Sequence, residues 1–419
     1  MKFPYNGIAI PEILLPGPDV DLSKWAVVAC DQYTSQKEYW AEVARKTQGA
    51  PSALNIIYPE AWLDQGDGRI EEINRAMAEY ERDVLTQRVN GFVLVERTTQ
   101  SGSRLGLMAA VDLEAYDFYP GSVSQIRATE GTVLSRIPPR VKIRKNAPLE
   151  SPHIMLLVDD VHDLLIRPLY EDRGRMELLY DVNLMMEGGR LRGWRVDADI
   201  HLESVQQALY YLNRLNPDLL FAVGDGNHSL ATARQCWLEL KESLTEEQQL
   251  THPARYALAE IVNLHDPALV FEPIHRLLRH VDGKGMIFKL NEWCGHRGLK
   301  LKPCMDGRGD CLLTYVDEDG KLPLAIDGAP GELTVSLLQP FLDNWLLSHS
   351  ECEIDYIHGE QALRSLAAKP GCCGFLLTAM DKKLLFPSVK AHGALPRKTF
   401  SMGEANEKRY YMECRRLHR

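Results

Sequence analysis

The chain has 419 residues, enough at about 100–200 residues per domain for two or three units that bury their own cores, which excludes a stapled mini-protein. Hydrophobic residues at 45%, charged at 25% and aromatic at 8% fit a folded globular chain and not a disordered or fibrous one. A formal charge of -10 repels phosphates over the surface as a whole, so nucleic acid is not an expected partner and any polyanion site must be a local basic patch.

The amino terminus, with prolines at 4, 11, 16 and 18, offers no uninterrupted apolar core for a signal peptide. No stretch approaches the roughly 18 apolar residues of a membrane span, so no membrane partner is expected. The nine cysteines include no CxxC pair, which suits reduced thiols and a cytoplasmic location.

Strand-like and helix-like segments alternate along the chain, which predicts a mixed α/β architecture. WAVVACDQY (25–33) reads as a buried strand, followed by a helix with Tyr39, Trp40, Val43 and Ala44 on one side. Residues 69–89 carry Ile70, Ile73, Met77, Tyr80, Val84 and Leu85 at helical spacing. GFVLVERTT and RLGLMAAVDLEAYDF predict a hairpin joined by QSGS. Between 126 and 145 the positive charge concentrates in Arg127, Arg136, Arg140, Lys142, Arg144 and Lys145 against one acid, Glu130. Val141 and Ile143 alternate with Lys142 and Arg144, so a solvated strand face competes with a phosphate-binding cluster there.

HIMLLVDD predicts a strand ending at Asp159 and Asp160, and GWRVDAD (193–199) a short one; SVQQALYYLNRL (204–215) predicts a helix. DLLFAV (218–223) then leads through Gly224 and Gly226 into a helix with Leu230, Ala233, Trp237 and Leu240 on one face. RYALAEIVNL predicts a central strand, residues 274–300 helix, loop and helix, and 374–379 a strand. A boundary is expected in the Gly- and Asp-rich stretch after 305. It gives a main α/β region, 1–305, that holds the candidate site, and a C-terminal α/β region, 306–419, packed on it.

FAVGDGNHSLATARQCW is the sharpest chemical signal. A strand, a glycine turn and a helix start present backbone N–H groups and the positive end of a helix dipole, a seat for phosphate oxygens. The turn lacks the lysine of a Walker A loop, and Ser229 stands where a dinucleotide fingerprint has its third glycine. The alternative is a tight turn capped by Asp225 or Asn227. His228 at the helix start, near Asp225, can donate to phosphate or move protons. VDDVHD (158–163) is a charged surface turn before it is a metal loop, and no metal ligand set is firm. The His265–Asp266 and His275–Arg276 pairs could frame a pocket, although satisfied structural histidines are the default. No GxSxG or activated cysteine favours nucleophilic catalysis.

VVACDQYTSQKEYW, RATEGTVLSRIPPRVKIRKNAPLESPHIMLLVDD, GDGNHSLATA, IVNLHDPALVFEPIHR and LPRKTFSMGEA together resemble the DUF1015 family. Members usually carry Asp-Gly-His-His-Arg where this chain has Asp225, Gly226, Asn227, His228 and Ser229. That motif is similar to the phosphate-binding signature of the ParB/sulfiredoxin-like superfamily, which includes free serine kinases. The resemblance implies a ParB/sulfiredoxin-like nucleotide-binding core with additional α/β elements, and a nucleotide or phosphometabolite site on Asp225, Gly226 and His228. Losing the arginine at 229 removes a paired phosphate contact unless Arg234 or the 136–144 cluster compensates.

The expected activity is a phosphotransferase that uses ATP or ADP, with Mg2+, on a small hydroxylated metabolite such as serine. Gly224, Gly226, Asn227 and Ser229 would cradle phosphate, with Arg136, Arg140 and Arg144 offsetting its charge. Asp225, His228 and Glu130 would carry the proton chemistry, and Asp31, Gln32, Arg127, Thr132, His275, Arg276 and Lys398 complete the candidate pocket. The competing expectation is a non-catalytic nucleotide or phosphometabolite sensor. A homo-oligomer is compatible with either.

Overall fold

The computed structural model describes residues 2–3, 7–119 and 121–418. The protein is mixed α/β and divides into two compact units, Met1–Val270 with Gly403–Arg419, and Phe271–Met402. The division falls at 270/271 and 402/403, where a break near 305 was expected. The polar stretch there leads into an antiparallel hairpin, Cys311–Asp317 with Gly320–Asp327, inside the second unit.

The main sheet of the first unit runs, in spatial order, Leu178–Leu184, Gly189–Val196, Phe92–Thr99, Gly102–Asp112, Tyr256–Asn263, Met155–Val158, Phe221–Asp225, Ile126–Ala128 and Tyr116–Asp117. Pairing is antiparallel on one side and becomes mixed where Met155–Val158 lies parallel to Tyr256–Asn263. Both faces are covered. Leu156, Phe221 and Val223 pack into one core and Val93, Met108 and Leu258 into another, which explains apolar runs without clean alternation. The expected hairpin forms between Phe92–Thr99 and Gly102–Asp112.

Helix Lys37–Thr47 buries Trp40 and Val43, with Tyr39 and Ala44 half-buried beside them. Helix Gly68–Asp83 buries Ile73 and Met77 and stops short of 89, because Gln87–Asn90 pairs as a strand with Glu12–Leu15. Helix Asp199–Leu215 precedes Phe221–Asp225, and helix Asn227–Lys241 follows it with Leu230, Ala233 and Trp237 buried.

Three local expectations are corrected. Residues 25–33 form no sheet strand: helix Leu22–Trp25 ends there, and the next residues make one antiparallel bridge, Val28 to Tyr410. Ala26, Val27 and Val28 are fully buried, and that burial gave the segment its strand-like composition. Residues 137–144 form helix Ile137–Arg144, with Pro138 and Pro139 in its first turn where a missing N–H costs least. Residues 274–279 belong to strand Phe271–Arg279, paired on both sides with Glu353–His358 and Cys372–Leu377, so sheet pairing overrides their helical spacing.

The second unit carries its own sheet, in the order Lys300–Pro303, Gly320–Asp327, Cys311–Asp317, Cys372–Leu377, Phe271–Arg279 and Glu353–His358. Helices Gly283–Gly295, Thr334–Ser348 and Glu360–Ala367 belong to the same unit. Among the described residues, no helix is long and apolar enough to cross a membrane.

Candidate functional site

The strand, turn and helix expected at 221–241 are present. Gly224 is the extra residue of a bulge, since Met155 pairs with Asp225 and Leu156 with Val223. Gly226 has φ 78°, and a Cβ there would lie 3.0 Å from the Ile154 Cα, so the turn requires glycine on both counts. Gly226 itself is the helix N-cap, and no side chain caps the helix. Neither Asp225 nor Asn227 therefore satisfies the first-turn amides, which removes the capped-turn alternative.

A second loop closes on this turn. Thr129 Oγ1 donates to the Val223 carbonyl at 2.7 Å, and Val133 N–H donates to His228 Nε2 at 3.2 Å. Residues 129–133, with Glu130 and Thr132 among them, are thus held against the strand end and the helix start. The Val133 bond makes Nε2 an acceptor and places a neutral ring's proton on Nδ1. Two buried polar atoms beside these bonds, Asn227 Oδ1 and Thr132 Oγ1, have no hydrogen-bond partner. Such orphans are costly unless something else meets them.

Beside the turn lies a charged cluster that the sequence did not reveal. Asp225 Oδ1 accepts from Gly226 N at 2.9 Å, and its Oδ2 is 3.2 Å from Lys408 Nζ. Asp31 Oδ2 is 3.5 Å from His153 Nε2, and its Oδ1 accepts from the Gln32 amide at 2.9 Å. On the other side of the ring, His153 Nδ1 is 2.7 Å from the Tyr411 hydroxyl, whose oxygen also accepts Cys30 N–H at 3.1 Å. Burial opposes charging of His153, but Asp31, with help from Asp225 and Glu60, raises its pKa above the ordinary imidazole value. Burial alone would raise the Asp31 carboxyl; His153, Gln32 and Lys408 outweigh it and hold the group well below the usual carboxylate range. Two residues on, Tyr33 adopts φ 53°, rare for a bulky residue, with its ring stacked on Tyr39 at 3.7 Å between centroids.

Lys408 and Tyr411 arrive on the carboxy-terminal segment, which is fixed by buried ion pairs of Arg409 with Glu260 and Glu413 and of Arg415 with Glu150. Its backbone pairs with the segment leading to Asp31: Ala29 N–H donates to Arg409 O, and Tyr411 N–H to Val27 O. The first and last parts of the chain thereby meet at the site.

The arginines largely serve other partners. Arg144 and Arg415 both pair with the buried Glu150 carboxylate and hold its pKa down against burial, so Arg144 is structural. Arg127 is buried and donates to the Ser124 and Asp218 carbonyls, so it leaves the candidate pocket. Arg140 pairs with Glu60 and donates to the Arg136 carbonyl; Arg136 is exposed. Arg234 pairs with Asp117 at 3.0 Å. Ser229 lies in the first helical turn. His275, Arg276 and Lys398 belong to the second unit, where Arg276 is wholly buried against Gln339 and the Tyr356 ring.

Around VDDVHD, His265 Nε2 meets Asp159 at 2.7 Å and Asp160 accepts Leu165 N–H, while Asp266 accepts Leu105 N–H. These contacts tie neighbouring strand ends together. Among the described residues, no group of three or more His, Cys, Asp or Glu side chains is arranged to hold a metal.

His153 was hidden because a lone histidine between proline and an apolar run has no local chemical signature. Lys408 and Tyr411 were hidden because their partners lie far away in the sequence. The one signal was density: KRYYMECRR packs charge and aromatics together in a chain end that a merely solvated tail would not need.

A mixed α/β unit with an uncapped strand–turn–helix and an adjoining buried acid–base cluster is the class of protein these features define. The model of a protein family of unknown function, DUF1015, matches residues 14–327. The chain belongs to that family. Lys408 and Tyr411 lie outside the matched residues. No curated protein matches the chain. Among solved structures, it is similar to a free serine kinase in complex with AMP, at a TM-score of 0.40 and 11% identity over 74% of this chain and 92% of that one. It is also similar to a conserved hypothetical protein from Pyrococcus furiosus, at 0.37 and 11% over 74% and 95%. A third is SbnI from Staphylococcus aureus with its C terminus truncated, at 0.37 and 9% over 71% and 82%.

Proposed function

We propose that the protein is a small-molecule phosphotransferase that binds ATP or ADP at the turn 224–229 and phosphorylates the hydroxyl of a small, serine-like metabolite. The observation that carries this is the pairing of an uncapped helix start with two buried orphan atoms, Asn227 Oδ1 and Thr132 Oγ1. The first-turn amides supply donors for phosphate oxygens. Asn227 Oδ1 can only accept, so it calls for a ligand N–H or O–H, while Thr132 Oγ1 can do either.

In the transfer, the metabolite oxygen forms a bond to the terminal phosphorus as the bond to the bridging oxygen breaks, leaving the shortened nucleotide. The hydroxyl proton needs an acceptor, for which Asp225, on the turn itself, and Glu130 are the candidates, with the Asp31–His153 pair next. Magnesium carried on nucleotide phosphates needs only one or two protein carboxylates, and Glu130 would fill that role. When bound it would neutralise phosphate charge.

A non-catalytic sensor is the second function with an observation in its favour: His228 Nε2 is occupied by Val133 N–H, Asp225 by Lys408, and position 229 carries no charge. Purified protein given ATP or ADP, magnesium and a pool of hydroxylated metabolites separates the two. Nucleotide consumption dependent on one metabolite supports the transferase. Saturable binding without turnover supports the sensor, and no binding at all overturns both.

A further inference from the structure

We infer that the carboxy-terminal segment completes the site, with Lys408 as the cation that meets the phosphate of a bound nucleotide. This rests on the phosphate function assigned to the turn.

A phosphate seated on the amides of 227–229 arrives beside Asp225, and that carboxylate repels it unless a cation is shared between them. Three of the arginines singled out from the sequence are already engaged. Arg140 is held by Glu60, Arg144 by Glu150 and Arg234 by Asp117. Lys408 touches the turn, 3.2 Å from Asp225 Oδ2 with its side chain only 14% exposed. An ammonium has three donors, and Asp225 engages one of them, so the same nitrogen can hold a phosphate oxygen without leaving its partner.

Its position is fixed in advance. The next residue, Arg409, is locked between buried Glu260 and Glu413, and its carbonyl accepts Ala29 N–H. The sheet register supports this layout: Asp225 and Glu260 both pair with Met155, one strand to either side, and Lys408 and Arg409 answer them in sequence. Holding the cation in place before the ligand arrives lowers the ordering cost of binding.

The test is titration of the full-length chain with ADP, without divalent cation, at about 50 mM and about 200 mM salt, which brackets the physiological range. Lys408→Met should weaken binding roughly 10- to 100-fold and flatten its salt dependence, the scale of losing one charge-assisted hydrogen bond. Lys408→Arg should restore most of it. Asp225→Asn removes the repulsive partner but keeps the lysine, so it should bind ADP at least as tightly as the natural chain. A purely structural ion pair would instead make Asp225→Asn weaken binding as Lys408→Met does. That result, or an unaltered affinity in folded Lys408→Met, overturns the inference. Failure of the natural chain to bind ADP overturns the phosphate function itself, a distinguishable outcome.

Discussion

Replacing Asp31 by Asn keeps the shape of the side chain and deletes the charge that faces His153. At 3.5 Å, two full charges attract by about 5 kcal/mol at an effective dielectric of roughly 20, and desolvation cancels much of that. A net loss of about 1–3 kcal/mol remains, the range for hydrogen bonds to charged groups. The loss depends on pH in a defined direction. His153 has a raised pKa, so its contribution is complete below about pH 6.5 and fades as pH rises through its higher folded value. Asp31 has a lowered pKa, so its contribution is complete above about pH 4 and fades as pH falls through its folded value. The pair therefore stabilises most between about pH 4 and 6.5. Asp31→Asn should lower the unfolding temperature by roughly 2–10 °C at about pH 5.5, and by less as pH climbs toward about 9 and the raised pKa of His153 is approached or passed. Thermal unfolding of both chains across that range is the assay. A gap equal at the two ends, or larger at pH 9, would show that the two side chains do not form a charged pair.

His228→Ala should leave the fold intact and weaken ADP binding by about 1–3 kcal/mol, read by calorimetry, and unchanged affinity takes the residue out of the site. Trp237 is 1% exposed and its Nε1 donates to Glu114 at 2.6 Å, so Trp237→Ala should cost about 3–5 kcal/mol of stability in denaturant unfolding. A midpoint equal to that of the natural chain means the helix face is misassigned. Gly226→Ala must hold φ 78° and fit a methyl 3.0 Å from the Ile154 Cα, at a cost above the about 1–2 kcal/mol of a left-handed residue alone. An unshifted unfolding temperature would mean that the turn relaxes to admit it.

Local chemistry was legible in the amino-acid order wherever a structural choice is settled by near neighbours. The turn at Gly226, the helix after it with Trp237 inward, and the hairpin of Phe92–Thr99 with Gly102–Asp112 all follow from short-range periodicity and glycine placement. The mixed α/β class follows from the alternation of such segments. Charge density at 127–145 was visible too, but its use was not. Whether an arginine faces a ligand or a buried carboxylate depends on what the fold places opposite it, and for Arg144 that is Glu150.

Tertiary structure alone decided the remainder. Asp31, His153, Asp225 and Tyr411 come from four separate stretches, and no periodicity reports a contact between residues 31 and 153 or between 225 and 408. The segment at 26–29 looks like a sheet strand because it is buried, yet its bridge runs to Tyr410 near the other end of the chain. Burial leaves a mark on composition, whereas the identity of the partner is fixed only when the chain closes on itself.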